Sequence, residues 1–319
     1  MRGGIWESSS IEIVHREKLG WSIPIPRYDH RAVKKKMNVV TRRLFLKFLL
    51  GLPLVSPFRL HVPATWANPS VRLGKEKRTS IGEFFKGEEL QYEIGLWLFK
   101  KVAVGKISFE EIGEKGRYRA TLQGETLGVL GFAARYRVDT YRSIMEEIDG
   151  GRRLRSISFE EDVKIGNKVR RRTHFLDYQK RRWVRIRQRN DGSKTREETE
   201  IPPGMVYDDF VTATYNFRYG AYGEIERGRT YKVATFPKKG ATSYEVNVAS
   251  KEEEEKKRKS EKSKEGKEFF LKLFLDAELT HSKEGLIEGW LSKELYPIEG
   301  KIKDVIFFGD IKGTLMKKV

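Results

Sequence analysis

Apolar and polar residues alternate along most of the chain after residue 88. In the first run, 89–98, every even position is apolar, which is typical of a strand with one face on a core and the other in water. Further alternating runs occupy 102–111, 116–126, 138–148, 153–165, 168–178, 181–189, 229–236, 241–249, 268–280, 286–294, 297–307 and 310–317. The pattern predicts a mainly β protein with a large antiparallel sheet. That sheet should be curled, half-open and barrel-like, because a wide flat sheet would leave its apolar face in water.

Two segments interrupt the alternation and predict short helices packed on the sheet. Residues 127–136 are apolar and rich in small side chains. Residues 208–219 follow a Pro-Pro-Gly sequence, and Asp208 or Asp209 can cap the free amides at the start of this helix. Residues 251–268 contain no apolar side chain, so we predict a solvated, charged insertion between two strands.

Residues 37–67 have the order of an export signal peptide. Basic residues precede an apolar stretch at 48–58, and small residues near Ala67 offer a cleavage site. The twin-arginine signature is matched by Arg42, Arg43, Phe45, Leu46 and Lys47. A retained membrane anchor or an amphipathic helix is the alternative, although the apolar stretch is shorter than the roughly 20 residues that span a bilayer. The pattern favours delivery to the periplasm, with the twin-arginine translocase as partner during export.

The predicted signal divides the chain into segments. A signal peptide begins a chain, so we interpret residues 1–36 as lying upstream of a true translation start at Met37, or else as disordered. Residues 68–84 are then a linker. Residues 85–319 form a single exported β domain that carries the charged insertion 251–268.

The composition narrows the chemistry that the chain can perform. There is no cysteine, which excludes disulfides, thiolate metal sites, a cysteine nucleophile and a lipidated cysteine. The net charge of +19 is uneven, since residues 1–67 hold 12 Lys and Arg against 4 Asp and Glu. The moderately basic remainder favours anionic partners or solubility. Its many Lys, Arg and Glu residues also suit a thermophilic source.

Three stretches resemble a family of bacterial exported proteins known as domain of unknown function 3108. They are the opening strand Gly87–Ile94, the Asp-led helix Asp209–Arg218 and the Trp-Leu-Ser turn with its following strand, Gly289–Ile298, while Gly309 fits the closing hairpin. The likeness covers 85–319. It departs from the family at Lys293-Glu294, where acidic residues are usual, and at the charged insertion. The resemblance implies periplasmic residence and a sheet similar to the half-open barrels of lipoprotein carriers, and it assigns no catalytic residue or activity.

A basic strand is a candidate for binding an anion. Residues 180–189 alternate so that Trp183 shares one face with Arg181, Arg185, Arg187 and Arg189, whereas Val184 and Ile186 face the core. Such a face can pair and stack with nucleic acid. An exported protein does not meet nucleic acid. The remaining candidate partners of the basic face are anionic lipid headgroups, lipopolysaccharide or wall polymers. The alternative is a solvated face balanced by Glu160, Glu161 and Glu197.

Aromatic residues are a second candidate site. On the concave side of a curled sheet they can line a pocket for an apolar ligand. We assign this role to Trp97, Phe132, Tyr136, Tyr215 and Trp290, with packing in the core as the alternative.

The sequence shows no catalytic or metal constellation. His174 and His281 are the histidines that follow the signal, and their separate predicted strands disfavour a metal site. Asp208 and Asp209 could be paired carboxylates, but helix capping explains them. We therefore predict a non-enzymatic periplasmic protein that has no cofactor. The protein is expected to bind an apolar or lipid-like ligand or an envelope partner. A structural or scaffolding factor that binds anionic envelope polymers through the basic strand is the alternative, and an enzyme is least favoured.

Overall fold

The computed structural model describes residues 79–96, 99–238, 241–261, 265–275, 282–305 and 309–319. The predicted segments 1–36 and 37–67, with the export-signal residues Arg42, Arg43, Phe45, Leu46 and Lys47, lie outside the described residues. Their assignment therefore stays a prediction.

The described residues form fourteen strands and four short helices. The strands are β1 Glu89–Leu96, β2 Phe99–Glu111, β3 Arg117–Thr126, β4 Val138–Ile148, β5 Arg153–Ile165, β6 Lys168–Asp177, β7 Arg182–Gln188, β8 Lys194–Glu200, β9 Thr230–Lys238, β10 Ala241–Val248, β11 Phe269–Phe274, β12 Leu286–Leu291, β13 Pro297–Val305 and β14 Gly309–Lys318. The helices are α1 Ile81–Phe85, α2 Gly128–Ala133, α3 Phe210–Tyr219 and α4 Lys251–Ser260. Helices α2 and α3 lie where the sequence predicts them.

All fourteen strands belong to one antiparallel sheet. Its order is β8-β7-β6-β5-β4-β3-β2-β1-β14-β13-β12-β11-β10-β9. Consecutive strands pair along the chain except β8 and β9. Strand β14 joins the two halves by pairing with β1, with Leu90 opposite Lys318 and Leu96 opposite Ile311. Strands β8 and β9 are the two edges. The predicted mainly β fold with one large antiparallel sheet that does not close is confirmed.

The sheet curls around α3, which contacts strands from both halves. Val211 and Tyr215 pack with residues of β2 to β5, whereas Ala213 and Phe217 pack with residues of β9 to β12. In a flat sheet β4 and β10 would lie about 40 Å apart, and a helix is about 10 Å wide. The two halves of the sheet must therefore face each other across α3.

The edge strand β9 packs over strands from the other half of the sheet. The ring centroid of Phe236 in β9 lies 6.2 Å from that of Phe159 in β5, 4.6 Å from that of His174 in β6 and 5.7 Å from that of Trp183 in β7. Just before α3, the backbone N–H of Asp208 donates to the carbonyl of Ala234 in β9 at 2.9 Å. The segment between β8 and α3 thereby fastens one end of the sheet to the other.

The last residues of the predicted linker 68–84 contain part of the core, which corrects the assignment of those residues; residues 68–78 lie outside the described part of the chain. Helix α1 begins at Ile81 after the Ser80 cap, and Ile81 and Phe85 are buried against β2 to β5 and α3. Its N-terminal Gly82 donates its backbone N–H to a Glu147 carboxylate oxygen at 2.9 Å. A helix of five residues with two buried apolar side chains is too short for a periodic signal, so the sequence does not reveal it.

The charged insertion 251–268 is not simply solvated, and that prediction is wrong in part. Its first ten residues form α4, with a capping box between Ser250 and Glu253. Glu254 is buried, accepts from the backbone N–H of Phe270 at 3.2 Å and pairs with Arg227 at 2.9 Å. Lys267 is buried too, and its ammonium lies 2.5 Å from Glu261 and 2.9 Å from Glu299. Ion pairs with the sheet therefore order a segment that has no apolar side chains.

We expect the close contact between α1 and the sheet to reject even one added methyl group. In Gly82→Ala the new Cβ would stand 2.0 Å from a ring carbon of Tyr118, and this ring is buried and stacked on Phe109. The free energy of unfolding should fall by about 1 to 3 kcal/mol, outweighing the gain in helix propensity of about 1 kcal/mol.

Urea unfolding of the purified variant measures this change. The matched control is Gly124→Ala in β3, where no atom lies within 4 Å of the added Cβ. Equal free energies of unfolding for the two variants would contradict the close packing of α1 against Tyr118.

Candidate functional site

A buried carboxylate anchors the N-terminus of α3 to the sheet. Asp209 is the N-cap, and its Oδ1 accepts from the backbone N–H groups of Val211 at 2.9 Å and Thr212 at 3.0 Å. Its Oδ2 accepts from the hydroxyls of Ser143 in β4 and Ser156 in β5, both at 2.6 Å, and from that of Thr212 at 2.7 Å. Five donors thus satisfy one carboxylate, so the predicted capping role is confirmed for Asp209.

The neighbouring Asp208 contacts a different set of groups. Its Oδ2 accepts from the guanidinium of Arg153 at 3.0 Å, the hydroxyl of Tyr222 at 2.5 Å and the side-chain amide of Asn216 at 3.3 Å. Its Oδ1 is buried and has no hydrogen-bond partner among the described residues. Asp208 is therefore a partly satisfied internal acid and does not cap the helix.

Asn216 continues the hydrogen bonding of β5 beyond the last residue that pairs with β6. The pairing of β5 with β6 begins at Ser158, so the backbone of Leu154 faces α3 instead of another strand. The Leu154 N–H donates to the Asn216 side-chain oxygen, and the Asn216 amide donates to the Leu154 carbonyl, both at 2.8 Å. One side chain thus substitutes for a neighbouring strand.

Burial governs the protonation of this polar cluster. It raises the pKa of Asp208 to about 6, against the opposing attraction of Arg153 and the hydrogen bond from Tyr222. Burial, together with the charge of Asp208, also raises the pKa of Tyr222 and of Tyr244, so both phenols stay protonated. Asp208 can therefore be protonated near neutral pH. Both aspartates are almost completely buried, so a substrate cannot reach them in this structure.

The other end of α3 carries a buried ion pair. The guanidinium of Arg218 contacts both carboxylate oxygens of Glu88, at 2.7 and 2.6 Å, and its Nε donates to the carbonyl of Leu295 at 2.8 Å. The same guanidinium lies 4.7 Å from the ring centroid of Phe85 and 5.7 Å from that of Tyr296. Arg218 therefore ties α3 to the start of β1 and to the β12–β13 turn.

The three stretches that carry the family resemblance meet at Arg218. Glu88 belongs to the first stretch, Arg218 ends the second, and Leu295 and Tyr296 belong to the third. In that turn, the Ser292 hydroxyl accepts from the backbone N–H of Tyr296 at 3.1 Å. The motif residues are thus brought together as a structural clamp.

The predicted anion-binding arginines are largely paired with glutamates of the edge strand β8. Arg181 pairs with Glu200, Arg185 pairs with Glu197, and Arg187 lies 3.8 Å from Glu197. Arg189 is exposed beyond the end of β7. Glu161 pairs with Arg172 at 2.8 Å and Glu160 with Arg142 at 3.0 Å. These contacts favour the alternative reading of a solvated face balanced by acidic neighbours.

Trp183 lies on the same face of β7 as Arg185, but that face is not solvated there, which corrects the predicted arrangement. It is buried with Leu176, Ile201 and Tyr207, and its indole N–H donates to Nδ1 of His174 at 3.1 Å. The face is covered there by the 201–209 segment and by Phe236 of β9. His174 is part of the same stack, and burial followed by repulsion from Arg172 lowers its pKa to about 3. His281 lies outside the described residues.

The aromatic residues assigned to an apolar pocket are not brought together. Tyr215 and Trp290 are each 1% exposed and belong to different core clusters. Phe132 and Tyr136 are 74% and 55% exposed. Trp97 lies outside the described residues. Core packing, the alternative reading, therefore fits Tyr215 and Trp290, and Phe132 and Tyr136 point to the surface.

Two open depressions on the described surface are polar. One of about 540 Å³ is lined by Lys180, Arg181, Arg182, Glu198, Thr199 and Glu200. Another of about 370 Å³ is lined by the turns 114–117 and 146–151. None of the helices in the described ranges has the length and apolarity needed to cross a bilayer.

Fold and site together define a β protein built on one open sheet that curls around a helix fixed by buried polar groups. The model of the family described as protein of unknown function (DUF3108) matches residues 91–316, and the chain belongs to that family. No curated protein matches it significantly. Among solved structures it is similar to a beta-barrel-like protein of domain of unknown function DUF1849 from Brucella abortus, with 11% identity, a TM-score of 0.37, and coverage of 73% of this chain and 97% of that chain.

Removal of the buried guanidinium of Arg218 should lower the free energy of unfolding far more than removal of an exposed guanidinium. Arg218→Ala would leave the Glu88 carboxylate buried and unpaired, which lowers the free energy of unfolding by about 3 to 5 kcal/mol. The control is Arg119→Ala, because Arg119 pairs with Glu110 at 2.9 Å on the surface and such pairs contribute about 0 to 1 kcal/mol. Urea unfolding compares the two, and similar losses would refute the clamp.

The free energy of unfolding should depend on pH because Asp208 titrates differently in the folded and unfolded states. Its folded pKa of about 6 exceeds the value of roughly 3.9 in an unfolded chain, so the folded state binds the proton more tightly. The wild type should therefore lose about 2 kcal/mol of stability relative to Asp208→Asn as the pH rises from about 4 to about 6, out of about 3 kcal/mol over the whole titration. Urea unfolding of both proteins across this range measures the difference, in which the other titrating groups cancel. Parallel stability curves would disprove the raised pKa.

Proposed function

We propose that this protein is an exported, non-enzymatic component of the bacterial periplasm that binds a lipid-like or other envelope partner on the outer surface of its sheet. The observation that carries the proposal is the filled interior. Helix α3 and its two apolar clusters occupy the space enclosed by the curled sheet. An apolar ligand in that space would have to displace the element around which the fold is built.

The buried polar cluster supports a role without catalysis. A catalytic carboxylate must reach its substrate, whereas Asp208 is 0% and Asp209 2% exposed. The hydroxyls of Ser143 and Ser156 donate to Asp209, and no imidazole stands beside them in the described part of the chain to act as base. The cluster is accounted for by the anchoring of α3.

Periplasmic residence rests on the signal sequence. Residues 37–67 place a twin-arginine motif before an apolar stretch and a small-residue cleavage site, so the twin-arginine translocase is the proposed partner during export. Nucleic acid is then out of reach. The alternative, a scaffold that holds anionic polymers through the basic strand, loses support because glutamates of β8 already occupy Arg181 and Arg185.

Export and surface binding can be tested with one tagged chain. Arg42→Lys combined with Arg43→Lys should leave the protein at full length in the cytosol, whereas the wild type should be found in the periplasmic fraction at the mass expected for cleavage near Ala67. Native mass spectrometry of the periplasmic wild type should show the protein without a retained apolar ligand, since its interior is filled.

The matched control for the signal is Arg59→Lys, a basic residue after the apolar stretch, which should export normally. A wild type that stays in the cytosol would remove the periplasmic assignment. A stoichiometric lipid that survives purification and native spraying would contradict binding on the outer surface.

A further inference from the structure

Three turns lie together at one end of the sheet. In an antiparallel meander the β1–β2, β3–β4 and β5–β6 connections leave the sheet at the same end. Direct contacts join them: the Leu127 N–H donates to the Val102 carbonyl at 2.8 Å, and the Gly166 N–H donates to the Arg135 carbonyl at 2.8 Å. We call residues 99–101, 127–137 and 164–168 the tip.

The tip exposes large apolar side chains. Val129 is 85% exposed, Phe132 74%, Phe99 57% and Tyr136 55%. Three of these four lie in the β3–β4 turn, on and just after the short helix α2. Single exposed apolar residues are ordinary, but a group of them at one site marks an interaction surface.

The β3–β4 turn holds these side chains outward in a fixed backbone. Arg135 and Tyr136 have φ values of 56° and 48°, a left-handed conformation that is costly for residues other than glycine. Hydrogen bonds from Arg135 N–H to the Phe132 carbonyl at 3.0 Å and from Tyr136 N–H to the Gly131 carbonyl at 2.6 Å maintain it. The aromatic rings are therefore presented by an ordered turn.

Basic side chains surround the exposed apolar ones. The exposed cations of the tip are Lys100, Lys101, Arg135, Lys164 and Lys168. Within the described residues none of the five lies at ion-pair distance from an acidic group, in contrast to the arginines of β7. Asp139 next to the tip is already paired with Arg137 at 2.8 Å, and Glu125 is the exposed acid nearby. The tip therefore carries an excess of unpaired positive charge.

We propose that the tip docks on an anionic lipid bilayer, with Phe132, Val129 and Tyr136 entering the headgroup region and the surrounding cations contacting lipid phosphates. Apolar insertion combined with attraction to anionic lipid is how peripheral proteins hold a membrane surface, and phenol rings favour the membrane interface. The inference rests on the proposed function and names the partner of its surface. It places the tip at the surface of a membrane.

The chain has no cysteine, so a single introduced thiol can be labelled uniquely. The test is Phe132→Cys carrying a nitrobenzoxadiazole fluorophore, mixed as the full chain with vesicles of phosphatidylglycerol and phosphatidylcholine. Its emission should shift to the blue and strengthen, because the label leaves water. The control is Met316→Cys in β14, a residue 65% exposed outside the tip, whose label should not respond.

A charge series measures the electrostatic part. Each cation near an anionic surface contributes about a fivefold gain in partition, so Lys100→Gln combined with Lys168→Gln should weaken vesicle binding by roughly 30-fold. Lys115→Gln combined with Lys180→Gln changes the same charge in turns at the opposite end of the sheet and should leave binding unchanged. Binding of the wild type should fall when salt is raised or when the vesicles contain phosphatidylcholine alone.

The outcomes separate this inference from the proposed function. A label at 132 that stays in water while the chain binds vesicles would overturn the inference and would assign the binding to another segment, such as the apolar stretch 48–58. A shift at 132 without vesicles that grows with protein concentration would put a second copy of the chain on the tip and would also overturn it. Neither result touches export or the filled interior, which fractionation and native mass spectrometry test.

Discussion

The burial of one apolar sheet face is the constraint on which the structure depends. A sheet of fourteen strands has more apolar surface than a single layer of short helices can cover, and exposure of that surface in water is costly in proportion to its area. The chain meets this constraint with α3, which presents Val211 and Tyr215 to one half of the sheet and Ala213 and Phe217 to the other. Curvature, the packing of β9 over β5 to β7, and a filled interior all follow from the position of this helix.

Apolar contacts alone would let the helix slide or rotate, and the buried polar groups remove that freedom. Asp209 is held by hydroxyls from β4 and β5 at one end, and Arg218 is held by Glu88 and Leu295 at the other. Such groups are costly to bury unless every partner is in place. These contacts fix the helix in one position against the sheet. Asp209 and Arg218, which make them, begin and end the second of the three stretches that resemble the family.

Strand alternation allowed the sheet, its antiparallel pairing and the position of α3 to be predicted, because period and capping are local signals. Helix α1 is too short to have a period, and the order of α4 comes from ion pairs with residues distant in sequence. Ser143 could have been found, since it is a small polar residue between Tyr141 and Met145 on the core-facing side of β4. Ser156 could not, because an irregularity in the pairing of β4 with β5 breaks the alternation next to it. Alternation divides β7 into two faces but does not say that β9 covers one of them at Trp183. The spread of Tyr215, Trp290 and Phe132 over separate environments likewise depends on the curl.

An open sheet keeps two edges with free backbone groups, and such edges can recruit strands from other molecules. The edge strand β8 is exposed at all seven positions and carries Lys194, Arg196, Glu197, Glu198 and Glu200. A foreign strand that paired there would have to bury or crowd this dense row of charges. The glutamates that neutralise the arginines of β7 therefore have a second consequence: they discourage the protein from polymerising edge to edge in a crowded compartment.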